Sequence, residues 1–229
     1  MKALLLAAGF GTRLKPLTDV TPKCLMPIKN QPLLDIWLEN LTNVGVGPFI
    51  INTHYLFNQV EEYTNTSKYK DKIQLVYEPE LLGTAATIKA NYNFLTGGDC
   101  LLIHADNYCL TDFNQFIHAH KNRPNNCVMT MMSFKTDTPE TCGILEIDKN
   151  EIIIGFHEKV KNPPGNLANG AVYILSSELI EWINLRNITD FSTEVIPFWL
   201  GKIANFENKN IHIDIGSVES YNRAQQIGI

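Results

Sequence analysis

From Ala3 to Ala8 the chain is unbroken apolar, and at Gly9 the run stops. A strand with no alternation of apolar and polar side chains must be covered on both faces, the condition of a parallel sheet flanked by helices. The run is too short for a signal-peptide core followed by cleavage and far too short to cross a bilayer, so it reads as a buried strand. After it the hydrophobic period switches: Leu33, Leu34, Trp37, Leu38, Leu41 and Val44 recur at helical spacing, with Pro32 near the first turn and Gly45 at the end. Phe49 to Asn52 reads as strand, Val60 to Tyr63 as part of a short helix, and Ile73 to Glu78 as strand again.

The alternation continues with a helix over about 84–95, a strand over 100–105, a helix over 112–121 and a strand over 128–134. Residues 143–147 and 152–157 flank Asp148-Lys149-Asn150-Glu151 as a hairpin, which makes the sheet mixed. A strand over 171–175, helices over 179–183 and 193–203, a strand over 211–215 and a last helix near Ser217 complete the pattern; Asn107 and Tyr108 read as a turn. Together these elements predict an α/β fold, a Rossmann-like doubly wound sheet, mixed but mostly parallel. With no linker, repeat or low-complexity run, the 229 residues are expected to form one domain. Such a chain buries roughly 70–75% of its unfolded surface, so no disulfide or structural metal is required for a core.

Charge narrows the function. Nineteen Lys and Arg stand against 24 Asp and Glu, a net charge of −5, with no basic footprint for nucleic acid. Cys24, Cys100, Cys109, Cys127 and Cys142 are an odd set with no CxxC and no zinc spacing, which fits a reducing cytoplasm. His118 and His120 lie two apart on a predicted helix and point to different faces, so they cannot form an i,i+4 metal pair. No G-x-S-x-G elbow is present, which argues against a serine hydrolase.

Directly after the first strand comes Gly9-Phe10-Gly11-Thr12-Arg13-Leu14. Two glycines allow backbone N–H groups to approach an anion as a nest. A dinucleotide fingerprint would want glycine where Leu14 stands, and a P-loop would want Gly-Lys-Ser/Thr; neither is spelled. Arg13, Lys15 and Lys23 instead place cationic groups beside the turn.

Residues 5–14, followed by Thr21-Pro22-Lys23 and Pro27-Ile28, resemble the signature of the sugar-phosphate nucleotidylyltransferases, or NDP-sugar pyrophosphorylases. The resemblance spans essentially the whole chain and implies a glycosyltransferase-A-like fold with a small acceptor-side β region, a nucleotide-binding half over about 1–110 and a sugar-phosphate-binding half over about 111–229. By the same likeness the loop with Ala8, Gly9, Gly11 and Thr12 wraps the nucleotide phosphates, Arg13 neutralises the β and γ groups, and Lys23 bridges the reacting phosphates. Asp106, after the middle strand, and Asp214, in an Asp-x-Gly segment, would hold Mg²⁺, whose hard charge suits carboxylate and phosphate oxygens. Arg13, Lys23 and Asp106 are the expected catalytic set.

Glu78-Pro79-Glu80-Leu81-Leu82-Gly83-Thr84-Ala85 resembles the base-reading loop, which assigns Glu78, Gly83 and Thr84 to the nucleotide. An ionised Glu78 only accepts hydrogen bonds, and guanine offers adjacent N1–H and N2–H₂ donors, so GTP is favoured. Gly143, Glu158, Lys159 and Asn169 match the family's sugar-phosphate segments in order. Asp190-Phe191-Ser192-Thr193-Glu194 reads as a helix cap.

Two departures keep alternatives in play. Ala86 stands where many relatives have Gly or Gln. His104-Ala105-Asp106-Asn107 replaces Asn-Gly-Asp and resembles the cytidylyltransferases that activate phosphocholine. The expected activity is therefore transfer of a nucleotidyl group from an NTP to a sugar 1-phosphate with Mg²⁺. A uridylyltransferase on an amino-sugar or muramate 1-phosphate, a phosphocholine cytidylyltransferase and a catalytically inactive nucleotide-sugar-binding module are the rivals. The length leaves no room for a C-terminal left-handed β-helix, so acetyltransferase activity is not expected. No nucleic-acid or membrane partner is expected, and the oligomeric state stays open.

Overall fold

The apolar runs of the first third become parallel strands. In the computed structural model, which describes residues 1–227, Lys2–Leu6 pairs in parallel with Phe49–Thr53, and Phe49–Thr53 with Ile73–Tyr77. Every residue of Phe49–Thr53 is buried, as a strand covered on both faces must be. The connections are the helices Leu33–Asn43, which buries Leu33, Leu34, Trp37, Leu38 and Leu41, and Phe57–Thr66. These elements belong to one compact unit formed by Met1–Leu81, Ile103–Leu110 and the chain from Ile211 on; Leu82–Leu102 and Thr111–Asn210 form a second. The division is interleaved along the chain.

In the second unit Met129–Lys135 pairs antiparallel with Leu167–Leu175 and parallel with Ile203–Glu207. Gly143–Ile147 and Ile153–Glu158 form the expected hairpin, joined to Leu167–Leu175 by an antiparallel pairing of Ile144 with Ala168. Its turn is closed by the Asp148 carboxylate, which accepts from the N–H groups of Asn150 at 2.8 Å and Ile152 at 2.9 Å. The helices Phe113–Lys121 and Ser177–Asn184 open on side-chain caps, Asp112 accepting from Gln115 N–H and Ser176 from Leu179 N–H. The α/β class and the mixed sheet are therefore observed as expected. Among the described residues, no helix is long and apolar enough to cross a membrane.

Three local expectations are corrected. The helix over 193–203 does not form: a π-type turn, Phe191–Val195, and a 3-10 turn, Pro197–Trp199, lead into the strand Ile203–Glu207. Pro197 lacks the N–H that a continuing helix needs, and Gly201 at φ 82° turns the chain away. The helix over 84–95 is split into Thr84–Ala90 and Tyr92–Leu95. At the break, the buried Asn91 amide donates to the Thr87 carbonyl at 2.8 Å and competes with the backbone ladder. Asn107 and Tyr108 are not a turn, since Asn107–Cys109 is a strand that pairs antiparallel with His212–Asp214. Trp37 Nε1–H donates to the Asn107 carbonyl at 2.9 Å and ties this ribbon to the first long helix.

His120 is fully buried in the second unit between Thr130 Oγ1 at 2.9 Å and Asp99 Oδ2 at 3.2 Å. Burial pulls its pKa below the usual 6.5, with Arg123 adding to the effect and Asp99 opposing it. The unfolded chain then binds a proton near pH 6 that the folded chain refuses, so stability falls on acidification. The midpoint of thermal unfolding is expected to drop between about pH 7.5 and pH 5.5, less steeply in His120→Gln; parallel profiles for the two proteins would remove His120 as the cause.

Candidate functional site

Where Lys2–Leu6 ends, the backbone stops pairing with the sheet. Ala7 N–H donates to Asn52 Oδ1 at 2.9 Å. Beyond it, among the described residues, the backbone N–H groups of Ala8, Gly9, Phe10, Gly11, Thr12 and Arg13 meet no acceptor. A run of six unsatisfied donors in an exposed turn is the electrostatic form of an anion nest. Gly11 is left-handed at φ 63° and closes the turn, its carbonyl accepting from Leu14 N–H at 2.9 Å.

Lys23 lies at the start of a 3-10 turn just after Pro22. Its ammonium donates to Asp106 Oδ2 at 2.7 Å and to Asp214 Oδ1 at 2.9 Å. The lysine side chain is 9% exposed, whereas those of Asp106 and Asp214 are 38% and 49% exposed, so a buried cation underlies two carboxylates that still reach solvent. Arg13 Nη2 stands 3.5 Å from Asp214 Oδ2 on the solvent side. Gly216 is confined beneath this pair: a Cβ there would fall 2.8 Å from Arg13 Nη2 and 2.8 Å from Asp214 Oδ2.

The ribbon of Asn107–Cys109 with His212–Asp214 is what joins the two acids. Asp214 is the register partner of Asn107, the residue after Asp106, and Ile215 N–H approaches the Asp106 carbonyl at 3.4 Å. Ala105 N–H, donating to the Leu6 carbonyl at 3.0 Å, fixes the other side of Asp106 against the first strand. Burial works against the Asp106 charge, but Lys23 foremost, then His104, hold its pKa below the ordinary aspartate value. Burial likewise opposes the Lys23 charge, and Asp106 and Asp214 raise its pKa above that of a free lysine. Lys23 and Asp106 are therefore both ionised at neutral pH.

This pair fits a divalent cation in its donor chemistry. Two carboxylates already share one cation, the Lys23 ammonium, and hard oxygens of this kind suit Mg²⁺ when phosphate or water completes its shell. Among the described residues no group of three or more His, Cys, Asp and Glu gathers for a metal, so the protein offers two ligands and no closed cage.

Glu78 is 3% exposed at the end of Ile73–Tyr77. Asn52 Nδ2–H donates to its Oε1 at 3.0 Å, while Asn52 Oδ1 accepts from Ala7; one buried amide thus spans the base-loop acid and the root of the glycine turn. The His54 ring lies 2.7 Å from the Glu78 carbonyl and meets Phe10 edge-on at 5.1 Å. Sequence reading passed over Asn52, although a buried polar residue ending an apolar parallel strand is a detectable signal.

The second unit gathers the other expected residues. Gly83, at φ 91°, faces the Thr189 carbonyl so closely that a Cβ would lie 2.6 Å from it, and Thr84 Oγ1 accepts from Phe191 N–H at 2.7 Å. Phe191 packs on Tyr173 with centroids 4.8 Å apart, and Asn169 Nδ2–H donates to the Tyr173 hydroxyl at 2.7 Å. Gly143 lies under Phe156 and Glu158, where a Cβ would come within 2.6 Å and 2.7 Å of their side chains. Lys159 Nζ pairs with Glu158 Oε1 at 3.2 Å. Asp190 is a cap, accepting from Thr193 N–H at 2.7 Å.

Comparison with known proteins gives the family. The family model described as Nucleotidyl transferase matches residues 2–227. Mannose-1-phosphate guanyltransferase of Emericella nidulans is 30% identical over 96% of this chain, which spans 62% of that enzyme's length. D-glycero-alpha-D-manno-heptose 1-phosphate guanylyltransferase of Aneurinibacillus thermoaerophilus is 28% identical over 99% of this chain and 97% of its own. Among solved structures, HddC from Yersinia pseudotuberculosis complexed with GMP-PN superposes with a TM-score of 0.82 at 26% identity, covering 98% of each chain.

Removing the cation from beneath the acids should be costly at neutral pH and cheaper in acid. Lys23→Met leaves two facing carboxylates and is expected to lower unfolding stability by about 1–3 kcal/mol at neutral pH, discounted for the exposure of both acids. Protonation of Asp106 then relieves the repulsion, so the gap to wild type narrows towards about pH 4.5 in urea titrations; a gap that widens there would contradict the ion-pair account.

Proposed function

Because the chain belongs to the nucleotidyl transferase family, we propose that it joins a sugar 1-phosphate to the nucleotidyl group of an NTP, GTP by preference, with release of pyrophosphate. The observation that carries this reading is the Lys23 ammonium shared by Asp106 and Asp214, in the same unit as a loop of unsatisfied N–H groups. That combination suits a reaction in which polyanions must be brought together.

The chemistry needs no protein nucleophile. An oxygen of the acceptor phosphate, already an anion at neutral pH, attacks the α-phosphorus in line; the new P–O bond forms as the α–β bridge breaks and its electron pair leaves with pyrophosphate. No proton has to be removed, so the work of the protein is alignment and charge neutralisation. The N–H groups of Ala8, Gly9, Gly11 and Thr12 bind the triphosphate, Arg13 offsets the charge growing on the leaving group, and Lys23 offsets that on the reacting phosphates. Asp106 and Asp214 would hold Mg²⁺, which when bound screens the phosphates and stabilises the charge of the transition state. Glu158, Lys159 and Asn169 receive the sugar phosphate, Gly143 leaving the room in which the Phe156 and Glu158 side chains lie, and Glu78, Gly83 and Thr84 serve the base.

Support for guanine comes from relatives named as guanylyltransferases and from the carboxylate at position 78. The named relatives act on mannose 1-phosphate and on a manno-heptose 1-phosphate. A manno-configured sugar 1-phosphate is accordingly our acceptor. The free thiols of all five cysteines suit a reducing cytoplasm.

Pyrophosphate release with Mg²⁺, crossing five NTPs with mannose, manno-heptose, glucose, glucosamine and N-acetylmuramate 1-phosphates and with phosphocholine, tests the whole reading. Turnover is expected with GTP and a manno-configured acceptor, falling by about 100-fold or more in Asp106→Asn without loss of fold. Preference for UTP or CTP would overturn the base assignment. Silence across the panel, with nucleotide-sugar binding retained, would favour the inactive module.

A further inference from the structure

We infer that Thr18 is a positioning residue that aims the phosphate-binding loop from beneath, an inference that rests on the phosphate reading of Gly9–Thr12. Thr18 is fully buried in a 3-10 turn, Leu17–Asp19. Its Oγ1–H donates to the Gly11 carbonyl at 2.7 Å. The same carbonyl accepts Leu14 N–H at 2.9 Å, so both of its lone pairs are engaged from the protein side.

That double engagement fixes a peptide plane. In a trans peptide the C=O of one residue and the N–H of the next point in opposite directions. Holding the Gly11 carbonyl inward therefore turns the Thr12 N–H outward, and Thr12 N–H is among the groups that meet no acceptor among the described residues. Without the hydroxyl, the carbonyl would keep only the Leu14 bond and the plane could rock. Binding by a nest depends on several N–H groups converging at once, so a rocking plane loses affinity for a polyphosphate before it loses the fold.

The methyl group of Thr18 has its own part. A Cβ at position 11 would fall 2.8 Å from Thr18 Cγ2, and Gly11 is left-handed at φ 63°. Gly11 and Thr18 are thus a fitted pair, in which the threonine fills the space that the missing side chain leaves and bonds the carbonyl beside it. Thr18 itself is too deep to touch a ligand, which separates it from Arg13 and Lys23.

The test compares Thr18→Val, which keeps the shape and removes the donor, with Thr18→Ser, which keeps the donor and removes the methyl. GTP binding is measured by calorimetry with no acceptor present, and KM and kcat are measured with the best acceptor of the panel. Loss of one net hydrogen bond predicts weaker GTP binding by about threefold to tenfold in Thr18→Val, a matching rise in KM for GTP, little change in kcat or in KM for the acceptor, and recovery to within about twofold in Thr18→Ser. If the valine variant fails to fold, Thr18→Ala gives the same comparison. Undiminished GTP binding in the donor-less variants, or a lower melting temperature with KM for GTP unmoved, would overturn the inference and leave the phosphate reading intact. Absence of GTP binding in the wild-type protein would overturn the phosphate reading itself, and this inference with it.

Discussion

The Lys23 ammonium is the charge around which the first unit is arranged. A lysine so nearly buried is tolerated only where opposite charge meets it, and here two carboxylates do so at 2.7 Å and 2.9 Å. Neither acid is near it in sequence. Asp106 follows the strand Cys100–His104, and Asp214 ends a three-residue strand close to the last helix. The cation thus requires the pairing of Asn107–Cys109 with His212–Asp214, and through Trp37 that pairing requires the first long helix. Packing and electrostatics here describe the same set of contacts.

The arrangement sets three kinds of positive charge against two carboxylates. Backbone N–H groups supply fixed partial charges that need no counterion and lose no side-chain entropy on binding. Arg13 adds a full charge at the rim, where it is 70% exposed, and Lys23 a nearly buried one at the floor. The aspartates keep the whole from becoming a trap for any anion, since an arriving phosphate meets negative charge unless a cation accompanies it.

Much of this was legible before any coordinate. The apolar run ending at Gly9 announced a parallel strand and its loop, and the helical spacing from Leu33 to Val44 became Leu33–Asn43. The candidate residues Arg13, Lys23, Asp106 and Asp214 were each identifiable by motif, but no local pattern says that an ammonium would sit between an acid from the middle of the chain and one from near its last helix. What escaped was short or disguised. Asn107–Cys109 is three residues long and polar at its start, so it read as a turn, although its partner strand is what gives it form. Ile203–Glu207 was absorbed into a helix because apolar residues continue unbroken through Val195 to Trp199, and only Pro197 and Gly201 mark the change. Asn52 and Thr18 were missed for a different reason. Each acts through backbone groups, Ala7 N–H and the Gly11 carbonyl, which carry no letter in the sequence.

The ribbon of Asn107–Cys109 with His212–Asp214 also bears on the order in which the protein comes into being. During synthesis the glycine loop, Arg13, Lys23 and Asp106 all leave the ribosome well before Asp214, whose strand pairs with Asn107–Cys109. A nascent chain can hold its glycine turn and one carboxylate while the second is still unmade. Lys23 has only half its acidic pair until then, so a strand made nearly two hundred residues after the lysine settles its charge. Assembly of the acidic pair and docking of His212–Asp214 on Asn107–Cys109 are in this way the same event.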